Sequence, residues 1–216
     1  MKSYKYILFD LDGTITDPKI GITKSIAHAL QYFGIEVGDL DTLCKFIGPP
    51  LRNSFVEYYG FSEEDANLAV EKYREYFGVT GLYENTVYGG IEMLLQDLKN
   101  QEKILIVATS KPTVYAAKIL EHFNLLKYFS FVAGSELNGD RSKKAEVIKY
   151  ALEQNHVADL SGVIMIGDRE HDIIGAKQVG ISSLGVLFGY GDRNELEKAG
   201  ADFIADTVED IGYLLV

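Results

Sequence analysis

Two aspartates, Asp10 and Asp12, follow directly on the apolar run Tyr6–Phe9, and Gly13 comes next. An unbroken apolar run is typical of a buried parallel strand, and open α/β sheets carry their chemistry at the carboxyl ends of such strands. The glycine indicates that the chain turns sharply there. Two carboxylates this close repel each other when both are ionised, so the pair points to a divalent cation or a shared proton.

A second apolar run, residues 103–108, ends in Thr109-Ser110-Lys111-Pro112. Proline suits the first turn of a helix, so Thr109 and Ser110 are expected where a strand passes into a helix N-terminus. Hydroxyls and free backbone N–H groups at such a point form a ready site for an anion.

A third apolar run, residues 162–167, leads into Asp168, and Asp172 follows four residues later. If a helix begins at about Arg169, this spacing places both carboxylates on one helix face, about one turn apart. Four acids at strand ends suit a hard cation with oxygen ligands, of which Mg²⁺ typically takes one or two carboxylates and substrate phosphate.

Cations precede the third run, in the segment that holds Arg141, Lys143 and Lys144. Val147 and Ile148, three and four residues after Lys144, fit an amphipathic helix that this lysine opens, so the start of that helix would present Lys144.

The elements that must position these residues alternate between helix and short apolar strand after Leu95, which predicts a parallel sheet with crossover helices. Strands are expected near 5–9, 104–108, 130–133, 163–167, 184–188 and 202–205. From Ile20 to about Phe77 the periodicity is helical, which predicts an inserted bundle of about four helices. The expected domains are an α/β core of residues 1–16 and 86–216 and a helical domain of residues 17–85.

The composition of the chain argues against several classes of function. The 216 residues carry a net charge of -11, which argues against binding nucleic acid. No apolar run approaches the ~18 residues of a membrane span, and the start shows no secretory signal. The single cysteine, Cys44, excludes an internal disulfide and favours a cytoplasmic location. A monomer or weak homodimer is the default expectation.

In these motifs the chain resembles phosphatases of the haloacid dehalogenase superfamily, and the resemblance covers essentially its whole length. The first family motif, DxDGT after an apolar strand, corresponds to Asp10–Thr14, and the second to Thr109. The third, a lysine before a helix, corresponds best to Lys144, and Lys143 and Arg141 are the alternatives. The acidic fourth motif runs from Gly167-Asp168 to Asp172. Phosphoglycolate-phosphatase-like and 5′-nucleotidase-like members are the most similar subgroup.

The resemblance implies a Rossmann-like core with an all-helical cap and a Mg²⁺-dependent attack on a small phosphorylated metabolite. Asp10 would be the nucleophile that forms an aspartyl-phosphate, and Asp12 the general acid and base. The metal would be held by Asp10, the backbone carbonyl of Asp12, and Asp168, with Asp172 in an outer shell. Thr109 and Lys144 would hold the phosphoryl oxygens. Further phosphate- or substrate-binding candidates are Gly13, Thr14, Ser110, Lys111, Lys143 and, in the cap, Arg52.

Other outcomes remain open from the sequence. A phosphomutase on the same scaffold would pass the phosphoryl group to a second sugar hydroxyl. A receiver-like switch, which also uses an acidic pair, Thr/Ser and Lys, would be phosphorylated without turnover. Phosphoglycolate, a 5′-nucleotide, a sugar phosphate and pyrophosphate are all compatible substrates.

Overall fold

The computed structural model of the chain describes residues 4–215. Pro18–Thr86 form one compact unit, here called the helical unit, and the remaining described residues form a second, here called the sheet unit. Within residues 4–215, no helix combines the length and the apolar character needed to cross a membrane.

The described residues contain eight strands: β1 (Tyr6–Phe9), β2 (Thr16–Asp17), β3 (Thr86–Val87), β4 (Ile104–Pro112), β5 (Phe131–Ser135), β6 (Val163–Gly167), β7 (Ser182–Val186) and β8 (Phe203–Ala205). Six of them form one sheet in the order β5–β4–β1–β6–β7–β8, and every neighbouring pair is parallel. The predicted α/β fold with a parallel sheet is confirmed. The short strands β2 and β3, which the sequence pattern did not indicate, pair with each other.

The same residues contain nine α-helices: α1 (Lys19–Tyr32), α2 (Leu51–Tyr59), α3 (Glu63–Tyr76), α4 (Ile91–Asn100), α5 (Thr113–His122), α6 (Lys144–Gln154), α7 (Glu170–Val179), α8 (Arg193–Ala199) and α9 (Val208–Leu215). The first three belong to the helical unit and the other six to the sheet unit. Each of α4 to α8 precedes or follows a strand of the large sheet, as parallel pairing requires.

The core of the sheet unit lies between the central strands and the helices that cover them. Leu8 of β1, Ile106 of β4 and Met165 of β6 are fully buried, together with Val147 and Ile148 of α6. Strands buried in this way read as unbroken apolar runs, which explains why the sequence showed them clearly. The rigid centre of the sheet fixes the strand ends where the acids lie.

The helical unit contains fewer regular helices than the four expected. Besides α1, α2 and α3, it has a 3₁₀ segment at Leu40–Phe46 and a π-helical continuation of α3 at Phe77–Gly81. Ser62 caps α3, and its Oγ accepts the N–H of Asp65 at 3.1 Å. The 3₁₀ segment ends at Phe46, shortly before a glycine and two prolines at positions 48–50, which do not favour its continuation.

Packing in the helical unit depends on a close approach between α1 and the π-helical segment. A Cβ atom on Gly21 would lie 1.9 Å from the carbonyl oxygen of Gly81. Only a residue without a side chain permits this distance, so Gly21 is a packing requirement rather than a flexible point.

We expect Gly21→Ala to lower the free energy of unfolding by about 1–3 kcal/mol, because the added methyl group forces the two segments apart. Gly38→Ala is the matched control, since a Cβ there meets no atom within 4 Å. The control should change stability by less than about 1 kcal/mol. Urea unfolding followed by circular dichroism measures both, and equal effects of the two substitutions would contradict this packing.

Candidate active site

The two acidic motifs meet at the carboxyl ends of β1 and β6, which are neighbours in the sheet. Phe9 pairs with Ile166 at the end of the ladder, and the N–H of Asp10 donates to the carbonyl of Ile166 at 2.8 Å. In chain order, β4 and β5 are added to the sheet on one side of β1, and the chain then crosses to add β6 on the other side. Such a reversal of strand order is where open α/β sheets bind their ligands.

The turn after β1 requires glycine at position 13. Gly13 has φ +80°, and a Cβ there would lie 2.1 Å from Oδ2 of Asp168. Beyond the turn, the hydroxyl of Thr14 donates to Oδ1 of Asp168 at 3.4 Å. The turn therefore brings the first motif against the fourth.

Lys144 is the cation at the centre of the acids. Its Nζ lies 2.9 Å from Oδ1 of Asp10 and 2.7 Å from Oδ1 of Asp172, and it donates to the carbonyl of Ala108 at 3.1 Å. Gly175 of α7 makes room for it, since a Cβ there would lie 2.9 Å from Cγ of Lys144. Burial alone lowers the pKa of the Lys144 ammonium, but the two carboxylates raise it above its ordinary value, so the group stays charged.

Asp168 and Asp172 are close to each other for a different structural reason from the one that their spacing predicted. Helix α7 begins at Glu170, so Asp168 lies before the helix and does not share a helix face with Asp172. Asp172 instead turns back toward the N-terminus, where its Oδ2 accepts the N–H of Arg169 at 3.1 Å. Gly167 allows this, because a Cβ there would lie 2.1 Å from Cγ of Asp172.

Asp10, Asp168 and Asp172 form a buried group that fits a metal site. Each offers a carboxylate oxygen, and these oxygens lie within 4.8 Å of one another. Burial, and then the charges of Asp172 and Asp10, raise the pKa of Asp168 well above its ordinary value. Burial also raises the pKa of Asp172 to about 6, although Lys144 opposes the rise. The one positive charge of Lys144 does not balance the negative charges of three carboxylates, whereas Lys144 together with a divalent cation would.

The second motif lies in an irregular end of β4. Ala108 is opposite Ala133 and Pro112 is opposite Ser135, so residues 109–111 bulge against the single residue Gly134. Thr109 is buried, and its Oγ1 accepts the N–H of Lys111 at 3.3 Å. The segment continues as strand to Pro112, and α5 begins at the next residue.

Lys111 and Asp12 form a second buried ion pair beside the first. Nζ of Lys111 lies 2.6 Å from Oδ2 of Asp12, and their side chains are 5% and 11% exposed. Burial raises the pKa of Asp12, while Lys111 acts to lower it. The sequence identified Lys111 only as an anion-binding candidate and gave no sign of this pairing.

The loop after β7 supplies a contact with Asp168 that the sequence did not predict. The N–H of Tyr190 donates to Oδ2 of Asp168 at 2.8 Å, and its hydroxyl donates to Asp17. A Cβ on Gly189 would lie 2.4 Å from Cβ of Asp168, and one on Gly191 would lie 2.0 Å from its carbonyl oxygen. The glycines that flank Tyr190 were the available signal.

Other cationic candidates do not belong to the buried acid group. Lys143 is exposed at the N-cap of α6. Arg141 donates to the carbonyl of Gly134 at 2.8 Å, pairs with Glu136, and places its guanidinium 3.8 Å from the ring centre of Tyr150. In the helical unit, Arg52 pairs with Glu63. Of the three third-motif candidates, the structure brings Lys144 to the acids.

Comparison with known protein families agrees with this geometry. The model of the family described as haloacid dehalogenase-like hydrolase matches residues 7–186, which include every residue of the buried acid group and both ion pairs. The chain belongs to this family. The family resemblance drawn from the motifs is confirmed, as is the prediction that the chain is an enzyme of the hydrolase class.

Similar proteins of the haloacid dehalogenase-like family carry several names. A 5′-nucleotidase of Pseudomonas aeruginosa is 49% identical over 193 residues, which are 89% of this chain and 87% of that protein. The tyrosine-protein kinase PtkA of Mycobacterium tuberculosis is 34% identical over 97% of this chain and 72% of its own length. A phosphoglycolate phosphatase of Vibrio parahaemolyticus is 25% identical over 96% of this chain and 94% of its own length.

Among solved structures, the crystal structure of a predicted phosphatase from Clostridium acetobutylicum is similar over nearly the whole chain. It superposes with a TM-score of 0.96 at 50% identity and covers 99% of this chain and 98% of that one. The likeness therefore includes both the sheet unit and the helical unit, each of which lies within the matched region.

We expect Asp168→Asn to stabilise the protein in EDTA at pH 8. The raised pKa of Asp168 means that its ionised form is disfavoured on folding, so stability is lost as pH rises through the folded pKa. Removing the charge should recover about 1–3 kcal/mol at pH 8 and much less at pH 4.5. Urea unfolding at both values measures this.

The exposed residue Asp97 of α4 supplies the control, Asp97→Asn, which should be nearly neutral at both pH values. A loss of stability for Asp168→Asn at pH 8, or a gain that does not depend on pH, would contradict the described charge imbalance.

Proposed function

We propose that the protein is a Mg²⁺-dependent phosphatase that hydrolyses a small phosphomonoester through an aspartyl-phosphate. The observation that carries this proposal is the buried group of Asp10, Asp168 and Asp172 around the single ammonium of Lys144. An excess of buried carboxylate at the carboxyl ends of β1 and β6 suits a site that holds a cation and an anionic substrate together.

The donor set fits Mg²⁺ because it consists of oxygen atoms alone. Asp10, Asp168 and the backbone carbonyl of Asp12 would hold the ion, with Asp172 in an outer shell. The bound ion would offset the repulsion between these carboxylates and the phosphate ester.

Asp10 would attack phosphorus, and the leaving oxygen would depart with a proton from Asp12. The two carboxylates have different surroundings, as two different roles require. Asp10 accepts the N–H of Leu11 at 2.7 Å and contacts Lys144, whereas Asp12 contacts Lys111. Asp12 would then take a proton from the water that cleaves the aspartyl-phosphate.

The transferring phosphoryl oxygens would be held by Thr109, Ser110 and Lys144. Their support comes from the bulge in β4, where hydroxyls and backbone N–H groups precede the start of α5. Positioning and charge stabilisation of this kind provide most of what phosphoryl transfer requires.

The helical unit would serve as a cap that selects the substrate and excludes water, as lids do. Its place in the chain, between the first and second motifs, supports this role. Arg52 is the candidate within it for a second polar group of the substrate, and engagement there would release Arg52 from Glu63.

Among small esters we propose 5′-nucleotides as the first class to test. The support is the 49% identity to the 5′-nucleotidase of Pseudomonas aeruginosa over 89% of this chain. Phosphoglycolate is the second class, since a phosphoglycolate phosphatase is also among the relatives.

Phosphate release from a panel of esters tests the proposal. The panel holds p-nitrophenyl phosphate, 5′-nucleotides, phosphoglycolate, hexose phosphates, phosphotyrosine and pyrophosphate, each with Mg²⁺ and with EDTA. We expect Mg²⁺-dependent release that Asp10→Asn lowers by at least about 10³-fold while the fold is kept, because the nucleophile is lost. A folded Asn variant that still releases phosphate would overturn the assignment. A stable phosphoenzyme without release would favour a phosphomutase or a phosphoacceptor switch.

Lys144→Met should lower kcat far more than Lys143→Met. Lys144 contacts two carboxylates in the buried group, whereas Lys143 is its exposed neighbour in the chain. A loss of about 10²-fold or more is expected for the first change and less than about threefold for the second. Steady-state kinetics on the best ester, with thermal melting to check folding, measure both. Equal losses would show that the wrong lysine was assigned.

A further inference from the structure

Lys111 is held in place by features that its proposed role in binding anions does not explain. The bulge at residues 109–111 lies against Gly134, where a Cβ would sit 2.4 Å from the carbonyl oxygen of Lys111. The hydroxyl of Ser135 donates to the carbonyl of Ser110 at 2.8 Å. Bulges next to active sites commonly redirect a side chain, and contacts at Ser110 and at Lys111 itself hold this one.

The ammonium of Lys111 contacts one of the two carboxyl oxygens of Asp12. Nζ of Lys111 is 2.6 Å from Oδ2, and 5% of the lysine side chain is exposed. Oδ1 of the same carboxyl is buried and has no hydrogen-bond partner among residues 4–215. A buried carboxylate oxygen without a partner is costly, so its retention calls for an explanation in the chemistry of the site.

We propose that Lys111 is a positioning residue for Asp12. The Lys111 ammonium holds Oδ2 of Asp12 and leaves Oδ1 as the oxygen that exchanges protons with the substrate. This inference rests on the proposed phosphatase function. It separates the two buried lysines by role: Lys144 serves the nucleophile and its acidic neighbours, and Lys111 serves the acid and base.

The phosphoryl group passes from the ester oxygen to Asp10 and then to water. Asp10 forms a bond to phosphorus while the bond from phosphorus to the ester oxygen breaks, and the electron pair of that bond stays on the oxygen. The proton on Oδ1 of Asp12 passes to this oxygen, and the alcohol leaves. Asp12 is then a carboxylate beside the Lys111 ammonium, which stabilises it. When the water oxygen forms its bond to phosphorus, the bond from phosphorus to Asp10 breaks, its electron pair returns to the Asp10 carboxylate, and Oδ1 of Asp12 takes the proton of the water.

The leaving group of the ester tests this role. p-Nitrophenolate departs readily without a proton, whereas the alkyl oxygen of a 5′-nucleotide requires one. We expect Lys111→Met to lower the first-turnover rate of alcohol release by about 10²-fold for the alkyl ester and by less than about tenfold for p-nitrophenyl phosphate. The first turnover is measured because the later hydrolysis of the aspartyl-phosphate is the same for both esters. Lys118→Met, an exposed lysine on α5, is the matched control and should change neither value.

Two results would overturn the inference while leaving the proposed function intact. Equal losses of the first-turnover rate on both esters would show that Lys111 does not act through proton transfer to the leaving oxygen. A raised KM with kcat unchanged would show that it binds the substrate instead. A wild-type protein inactive on every ester would overturn the proposed function, and this inference with it.

A double-mutant cycle guards against a variant that fails for structural reasons. In an Asp12→Asn background, adding Lys111→Met should lower kcat for the alkyl ester by less than about threefold, because the group that Lys111 positions is already gone. Lys111→Gln, which keeps an N–H donor toward Asp12, should fall between wild type and Lys111→Met. A further loss of tenfold or more in the Asn background would contradict a role through Asp12.

Discussion

The site is organised by a charge imbalance that the protein buries. Asp10, Asp168 and Asp172 have carboxylate oxygens within 4.8 Å of one another, and Lys144 supplies one positive charge among them. Burial and mutual repulsion raise the pKa of Asp168 and of Asp172, which is the cost of holding the group together. Three glycines, at positions 13, 167 and 175, permit the close contacts this arrangement requires. The protein thus keeps an arrangement that a bound cation would stabilise.

Asp12 belongs to a second ion pair and not to that group. Although Asp12 is two residues from Asp10, its carboxyl contacts Lys111 and not Lys144. Two carboxylates in different surroundings can take different roles, one as nucleophile and one as acid and base. The turn at Gly13 and the bulge in β4 produce this separation, so the backbone irregularities of the sheet unit lie where its chemistry is expected.

Much of this architecture is readable from the sequence because it depends on short-range patterns. The six strands of the large sheet are present near the predicted positions, since buried parallel strands are continuous apolar runs. The starts of α6 and α7 lie at or next to the residues that the motifs indicated. Asp10 and Asp168 are adjacent because the ends of parallel neighbouring strands share one edge.

Contacts that depend on tertiary geometry were not readable. The pairing of Lys111 with Asp12 follows from a bulge opposite Gly134, and no local pattern marks that register shift. The contact between the N–H of Tyr190 and Asp168 involves the backbone of a distant loop, and the glycines that flank Tyr190 do not indicate which residue the loop contacts. The relation of Asp168 to Asp172 was predicted as a shared helix face, but it arises from a side chain that turns back to cap the helix.

The most direct test of the central claim is Mg²⁺ binding to the EDTA-treated and dialysed protein, measured by calorimetry in two buffers with different ionisation enthalpies. We expect one ion bound per chain, with protons released near pH 6 because the ion displaces them from carboxyls whose pKa is raised. Asp168→Asn should lose this binding and the proton release together. Absence of saturable binding, or binding that Asp168→Asn leaves unchanged, would contradict it.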